Sequence, residues 1–274
     1  MMPEKPEVIT VSEVLKKRII GKTINNVSVY WDNIIATPSV KEFKEKIKNQ
    51  EILDITTRGK FIVVTLTDYS LLFHLRMEGK FFFRNKGEEL NKHEHVVFLF
   101  KDQTEMRFHD VRKFGKIYLV DKKDTYKIAP LSNLGYEYND NKLTPKYLTT
   151  SFKNRRLPIK TVLLDQSIIT GIGNIYDDEI LFLSGINPYK KASELTEKEC
   201  KDIIDNTIVV LTKAIKMGGT TIKSFTSAEG VHGLFQNELF VHGKKNSLCP
   251  KCNTKIENVK IGGRGTYYCP NCQK

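Results

Sequence analysis

Four cysteines near the C-terminus carry the clearest chemical signal in the sequence. Cys249, Cys252, Cys269 and Cys272 form the pattern C-x2-C-x16-C-x2-C. Two such pairs at this spacing are typical of a tetrahedral zinc site with four thiolate ligands. Because the protein fills all four positions, no position is left for a reacting water, and we expect one structural zinc ion. A redox dithiol pair is disfavoured because two matched pairs are present and neither opens a βαβ unit.

The segment around these cysteines is also strongly basic. Residues 244–274 contain seven Lys and Arg against one acid, and the whole chain has a formal net charge of +12. Such an excess favours a nucleic acid or an anionic membrane surface as partner, although a solvated basic surface explains the charge as well. No run reaches the roughly 18 apolar residues that span a bilayer, and the first residues are too charged for a signal peptide. We expect a cytoplasmic, nucleoid-associated protein.

The elements that must position this chemistry change character along the chain. Apolar residues at positions 8, 11, 15 and 19 predict an amphipathic helix over 6–20, which Gly21 ends. Short runs rich in β-branched and aromatic residues then predict the strands of an antiparallel sandwich or barrel. These runs are residues 26–30, 61–67, 71–75, 80–83, 95–100, 105–108 and 116–119.

Helical periodicity returns after a linker-like segment at 131–140. Helices are predicted over 161–166, 175–183 and 196–215, the last one opened by a capping box of Thr196 and Glu199. Cys200 lies in this helix and is expected to be a packed core thiol. The tight turn before residue 175 makes Asn174 the expected N-cap, and its free N–H groups predict an anion site.

Several short motifs, spread from residue 2 to residue 273, resemble the formamidopyrimidine-DNA glycosylase family. Three of them are MPEKPEV at 2–8, TGIGNIY at 170–176 and GGRGTYYCPNCQ at 262–273. Five more occur in the same order: RGK at 58–60, HLRMEG at 74–79, KHEHV at 92–96, DVRKFG at 110–115 and LGYE at 134–137. One such motif would be weak evidence, but this many in sequence order are hard to assign to another family.

The resemblance implies an α+β fold. An N-terminal antiparallel β-sandwich with an N-terminal helix would precede a C-terminal helical domain with a helix–two-turn–helix and a β-hairpin zinc finger. The implied domains are a catalytic sandwich domain over 2–133, a linker over 134–140, a helical domain with a lesion-capping loop over 141–239 and a zinc finger over 240–274. The implied partner is double-stranded DNA containing oxidised bases, bound by a monomer.

The implied activity is that of a DNA glycosylase and AP lyase that removes 8-oxoguanine and formamidopyrimidines. Pro3, if it is the first residue of the mature chain, supplies a secondary amine that can attack the sugar C1' carbon. An α-amine, with a pKa of about 7.7 to 8.0, is better suited to this attack than a lysine near 10.4. The attack expels the base and forms an iminium, which acidifies C2', so strand cleavage by β,δ-elimination follows. Glu4 is the implied general acid.

Other catalytic and DNA-binding roles follow from the resemblance alone. Lys60 resembles the lysine that touches phosphate and assists elimination, and Arg264 belongs to the same catalytic set. The implied DNA contacts also include His74, His93, Arg156 and Asn174, and Lys160, which follows Arg156 before the same turn, is expected to extend the basic path. Read without the other motifs, the first residues are a plain helix start, Lys60 is a surface lysine, and a lone histidine is more often structural.

The extruded base would be replaced by side chains and held by others. Met77, Arg112 and Phe114 resemble the trio that fills the void in the duplex, with Arg112 bonding the orphaned cytosine. The alternative is that Met77 and Phe114 are core residues of the sandwich. The implied substrate contacts are Glu7, Glu78, Thr221, Lys223 and Phe225, although Glu7 looks more like a loop support. The loop at 218–236 closes over the extruded purine in the family.

The sequence departs from the family pattern at a few positions. Lys5, Val111, Lys113, His242 and Lys244 replace the usual residues, which concerns fine DNA contacts rather than the chemistry. A start at Met1 would leave Pro3 inside a peptide bond, whereas translation from the second methionine would restore the amine.

Two alternatives stay open at this stage. One is the sister class of enzymes that act on oxidised pyrimidines, against which the Met77, Arg112 and Phe114 trio and the purine-capping loop speak. The other is a non-catalytic zinc-finger DNA-binding protein, which the retained Pro3, Glu4 and Lys60 disfavour.

Overall fold

The computed structural model describes residues 2–220 and 233–274. The chain divides into two compact units. The N-terminal unit comprises the described residues of Met1–Ser132 and Thr220–Gly233, and the C-terminal unit comprises Asn133–Gly219 and Leu234–Lys274. Among the described residues, no helix is both long and apolar enough to cross a membrane. The domain bounds given above stay a prediction.

The described residues of the N-terminal unit form two α-helices and nine strands. In chain order they are α1 Lys5–Ile19, β1 Ile24–Val29, β2 Ile35–Thr37, α2 Val40–Lys46, β3 Ile52–Arg58, β4 Phe61–Leu66, β5 Tyr69–His74, β6 Lys80–Asn85, β7 Glu94–Phe100, β8 Thr104–His109 and β9 Lys116–Asp121. The predicted helix and all seven predicted strands are present. Helix α2 and strands β2 and β3 were not predicted.

The strands form two sheets. One has the order β1-β7-β8-β6 and the other has the order β2-β9-β5-β4-β3. All neighbouring strands are antiparallel except β2 and β9, which pair in parallel. The predicted antiparallel sandwich is therefore correct apart from this one short parallel pair.

A single apolar core joins the two sheets. The ring of Phe73, from one sheet, lies 5.9 Å from Phe98 and 6.1 Å from Phe108, both from the other sheet. Helix α1 adds Val8 and Leu15 to the same cluster, as the predicted helical spacing requires. Because these side chains are buried, the N-terminus of α1 is held against a rigid frame.

The C-terminal unit is helical and ends in a hairpin. Its elements are α3 Pro145–Phe152, α4 Ile159–Leu163, α5 Asn174–Ser184, α6 Glu197–Lys216, β10 Glu257–Ile261 and β11 Arg264–Tyr268. Helix α6 begins with the predicted capping box at Thr196, and Cys200 is fully buried as expected. Helix α3 was not predicted.

Candidate functional site

The N-terminus of α1 is fixed by the carboxylate of Glu7. Glu4 is the N-cap of α1, and its backbone N–H donates to Oε2 of Glu7 at 2.9 Å. Oε1 of Glu7 accepts from the backbone N–H of Thr220 at 2.8 Å and from its hydroxyl at 3.1 Å. Pro3, Glu4 and Glu7 are all buried. The Glu7 carboxylate therefore links Glu4, which follows Pro3, to Thr220.

Lys60 lies in the tight turn between β3 and β4. Gly59 has a φ of +53°, a conformation that favours glycine, and this turns the next residue into the body of the unit. Lys60 is 4% exposed. Lys5 is also buried, and its Nζ donates to Oγ1 of Thr57 at 3.1 Å, so this departure from the family pattern is bound to the sheet.

His74 ends β5 and is held as a neutral imidazole. Its ring packs edge-on against Phe61 at 4.7 Å, and its Nδ1 accepts from the backbone N–H of Arg76 at 3.1 Å. Burial first, and then the charges of Arg76 and Lys60, lower the pKa of His74 to about 3. Since Nδ1 is an acceptor, the proton sits on Nε2, which can donate to a phosphate oxygen without carrying a charge.

The turn after β5 displays Met77 and Glu78. Arg76 has a φ of +53°, and the backbone N–H of Gly79 donates to the Leu75 carbonyl oxygen at 2.9 Å. A Cβ at Gly79 would lie 2.6 Å from that same oxygen, so this close turn requires glycine. Met77 and Glu78 are half-buried, and neither belongs to the sandwich core.

The loop between β8 and β9 presents Arg112 and Phe114. Asp110 is fully buried, and its carboxylate accepts from the backbone N–H of Arg112 at 3.0 Å and of Gly115 at 2.7 Å. Phe114 is 50% exposed, and the Arg112 guanidinium lies 4.9 Å from the centre of its ring. Phe114 is therefore not a core residue, and the loop holds an arginine and an aromatic ring outward together.

His93 lies beside this loop in a cluster of histidines. Its ring is 5.6 Å from His109 and 6.4 Å from His95, and His93 is half-buried. His95 bonds the Asp110 carbonyl oxygen through Nε2 at 2.9 Å, and burial lowers its pKa. The N–H of Asp110 donates to the His93 carbonyl oxygen at 2.9 Å, so the His93 backbone is tied to the base of the loop.

In the C-terminal unit, the side chain of Gln166 closes the turn before α5. Its Nε2 donates to the carbonyl oxygen of Ile172 at 2.9 Å, and its Oε1 accepts from the N–H of Gly171 at 2.9 Å. The N-cap of α5 is Gly173, so the prediction that Asn174 is the N-cap was wrong. The Asn174 side chain instead donates to the carbonyl oxygen of Gly265 at 2.9 Å. The side-chain amide of Asn174 therefore bonds the hairpin and does not cap the helix.

Lys160 does not extend a basic surface, which corrects the interpretation made from its sequence neighbourhood. It is fully buried, with Nζ 2.6 Å from Oδ1 of Asp178 and 3.3 Å from Oδ2 of Asp177. Burial opposes its charge, but the two aspartates dominate and raise its pKa. Arg156 is exposed, as a phosphate contact requires.

The acidic run in α5 anchors the zinc-finger segment. Oδ2 of Asp178 accepts from the backbone N–H of Tyr267 at 3.2 Å and bonds Nδ1 of His242 at 2.7 Å. Glu179 accepts three consecutive backbone N–H groups, those of residues 240–242. Both ends of the finger segment are thus fixed to the same helix.

The four cysteines are brought together as predicted. Their sulfur atoms all lie within 4.8 Å of one another, and the distances Cys249–Cys272 and Cys252–Cys269 are 3.8 and 3.5 Å. A tetrahedron with zinc–sulfur bonds of about 2.3 Å has edges close to these values. The donor set therefore fits one structural zinc ion, and the prediction of this ion is confirmed.

The hairpin of the finger presents Arg264. Gly262 and Gly263 form its turn with φ of +55° and +79°, and Arg264 follows in an exposed position. A Cβ at Gly262 would lie 2.6 Å from Oγ1 of Thr161, so the turn packs tightly on α4. Together with the bond from Asn174 to Gly265, this contact holds the backbone on both sides of Arg264.

Three of the predicted substrate contacts, Thr221, Lys223 and Phe225, lie outside the described residues. Two supporting residues were missed by the sequence analysis as site residues, Asp110 and Gln166. Asp110 could have been found, because an aspartate followed by an exposed turn commonly bonds the backbone two residues on. No local signal marks Gln166.

Comparison with known proteins decides the family. Residues 2–117 match the formamidopyrimidine-DNA glycosylase N-terminal domain, residues 134–226 match the H2TH domain of the same enzymes, and residues 246–274 match the zinc finger found in FPG and IleRS. The formamidopyrimidine-DNA glycosylase of Bacillus cereus (strain ATCC 10987 / NRS 248) is 45% identical over 273 residues, which is 99% of each chain. The chain belongs to the formamidopyrimidine-DNA glycosylase family. The predicted family and enzyme class are confirmed.

Solved structures of this glycosylase family agree. A Lactococcus lactis family member in complex with Fapy-dG-containing DNA has a TM-score of 0.92 and 34% identity, covering 99% of this chain and 100% of that chain. The same species' protein with abasic-site DNA has a TM-score of 0.91 and 34% identity, with 99% of both chains covered. The predicted fold class is confirmed. AP lyase activity is typical of the family, and the roles of individual residues stay predictions.

Proposed function

We propose that this family member excises 8-oxoguanine and formamidopyrimidines from duplex DNA through a covalent intermediate on Pro3. The observation that carries the proposal is the Glu7 carboxylate, which fixes the N–H of Glu4 and the N–H of Thr220. This arrangement holds the residue next to Pro3 on a rigid helix start. A nucleophile and its acid need such fixed geometry to act on one sugar.

The proposed sequence of steps follows from the chemistry of a secondary amine. The Pro3 nitrogen attacks C1', and Glu4 protonates the ring oxygen or the departing base. The bonds from C1' to the base and to the ring oxygen both break, the amine loses its proton, and an iminium forms between Pro3 and C1'. Loss of a C2' proton then expels the 3' phosphate, and a second elimination expels the 5' phosphate. Lys60 would contact phosphate and assist the eliminations.

DNA binding would use exposed or donor-bearing groups of both units. The N-terminal unit offers His74 as a neutral N–H donor together with His93, and the C-terminal unit offers Arg156, Asn174 and Arg264. Met77, Arg112 and Phe114 would fill the gap left by the extruded base. Glu78 would face the lesion with Thr221, Lys223 and Phe225. We propose that a monomer does this on nucleoid DNA, with zinc holding the finger.

Borohydride trapping tests the nucleophile. The mature N-terminus is first established by intact mass, and a form that begins with Pro3 is compared with one that retains the preceding methionine. Only the first should become covalently linked to 8-oxoguanine DNA. The matched control is Lys5→Met, which removes the neighbouring buried amine and should leave trapping intact. Undiminished trapping by the form that retains Met2 would contradict the assignment.

The lesion preference is tested on the same protein with duplexes that contain 8-oxoguanine, a formamidopyrimidine or an oxidised pyrimidine. The Lactococcus lactis relative has also been crystallised with DNA that contains an oxidised pyrimidine. We expect excision to be fastest on the two oxidised purines. Faster excision of the oxidised pyrimidine would favour the sister class of enzymes.

A further inference from the structure

The loop that carries Arg112 and Phe114 contains a residue in an uncommon conformation. Lys113, between them, has a φ of +59°, in the left-handed region that side chains other than glycine seldom adopt. Its backbone N–H reaches the Asp110 carbonyl oxygen at 3.3 Å. The chain reverses at Lys113, and this reversal brings the Arg112 guanidinium over the Phe114 ring. The left-handed conformation of Lys113 has a free-energy cost that its contacts must offset.

Trp31 provides a partner for Lys113 from outside the loop. The Lys113 Nζ lies 3.9 Å from the centre of the Trp31 ring, the shortest such distance among the described lysine and arginine contacts with rings. Tryptophan is the aromatic residue that attracts a cation most strongly. The indole is 37% exposed, so it is not required to fill the core.

Trp31 is itself attached to the frame of the unit. The N–H of the preceding residue, Tyr30, donates to the His95 carbonyl oxygen at 2.8 Å. Two residues further on, the Asn33 carbonyl oxygen accepts from Nζ of Lys116 at the start of β9. The backbone on both sides of Trp31 is thus held to the frame of the unit, and the Lys113 ammonium lies over the indole that this backbone carries.

We propose that Trp31 is a positioning residue for the loop at 110–115. Its ring holds the Lys113 ammonium, which favours the left-handed turn and keeps Arg112 and Phe114 directed outward. The inference rests on the proposed role of Arg112 and Phe114 in filling the duplex. It predicts that Trp31 acts through Lys113 and not by a contact of its own with DNA.

A double-mutant cycle tests this coupling. Trp31→Leu should slow single-turnover excision of 8-oxoguanine opposite cytosine by about two- to fivefold, the range that an exposed cation–π contact supports, and Trp31→Phe should lose less. Lys113→Gly allows the left-handed turn without an aromatic partner. In the K113G background, W31L should have no further effect. An equal loss in both backgrounds would overturn the proposal.

Matched controls separate the coupling from general effects. Lys46→Met removes another exposed lysine–ring contact of the same unit, in which Nζ lies 5.6 Å from the Tyr69 ring, and it should leave excision unchanged. R112A and F114A report the role of the loop itself. If both variants excise 8-oxoguanine normally, the proposed role of the loop is wrong. The contact between Lys113 and Trp31 is then tested by the NMR measurement below.

That measurement uses the free protein. The side-chain methylene protons of Lys113, assigned by NMR through K113G, should be shifted upfield by the indole ring and should return to ordinary values in W31L. Unshifted protons in the unaltered protein would overturn the proposal irrespective of any activity.

Discussion

Acidification should destabilise the N-terminal unit through His74. In the folded protein, burial and the nearby charges of Arg76 and Lys60 hold its pKa at about 3, against an ordinary value of 6.5. Between pH 3 and pH 6.5, the unfolded chain therefore binds a proton at His74 that the folded chain does not bind. The stabilising contribution is fully present above pH 6.5 and is lost progressively as the pH falls towards 3.

The size of this effect follows from the two pKa values. Between pH 7 and pH 5, the unfolded imidazole becomes almost fully protonated while the folded one stays neutral, which costs about 2 kcal/mol of unfolding free energy. His74→Asn keeps an oxygen close to the position of Nδ1, so the Arg76 N–H retains an acceptor, but it removes the titrating group. The variant should lose about 2 kcal/mol less than the unaltered protein over the same interval.

Urea denaturation followed by tryptophan fluorescence measures the difference. The chain has one tryptophan, Trp31, and it lies in the N-terminal unit, so its emission follows the unfolding of that unit. His242→Asn, in the C-terminal unit, is the control and should leave the pH dependence of this transition unchanged. Identical pH dependence in H74N and in the unaltered protein would refute the reasoning, because His74 would then not be the group that takes up the proton.

Three further predictions concern DNA. Metal analysis should find one zinc per chain, and chelation should weaken DNA binding; full affinity without metal would contradict the structural role. Gly262→Ala should destabilise the hairpin by roughly 1 to 2 kcal/mol and weaken DNA binding measured by fluorescence anisotropy. Adding Thr161→Ala to this variant should partly restore DNA binding, because it removes the clashing Oγ1. With Arg112 intact, single-turnover excision of 8-oxoguanine should be roughly five- to 150-fold faster opposite cytosine than opposite adenine, and Arg112→Ala should reduce this preference. Equal rates with Arg112 intact would show that another residue reads the opposite base.

The sequence predicted the elements whose pattern is strong and long. Helix α6 has twenty residues, a capping box and regular apolar spacing, and it was found within one residue. Strand β3 was missed because only Ile52 and Ile55 of its seven residues are buried, a spacing of three that hides the alternation of a strand. Helix α2 and strand β2 are too short to show a period.

The site was predicted residue by residue through motifs, but its internal bonding was not. Lys160 was predicted to belong to a basic path because the sequence shows its charge but does not show that it is buried and paired with two aspartates. Asn174 looked like an N-cap because its type and place suit one, whereas its amide bonds a strand 91 residues away. Pairings over such distances are set by packing, which local patterns do not encode.

The four-cysteine cluster has a consequence for an enzyme that works where oxidants are present. Thiolates are the form of cysteine that oxidants attack, and each oxidised sulfur removes a ligand from the metal. Cys249 and Cys269 are fully buried, but Cys252 and Cys272 are half-buried, so an oxidant reaches these two first. The capacity to hold damaged DNA should therefore decline under the same stress that creates the damage, and supply of reductant and zinc would set how quickly repair recovers.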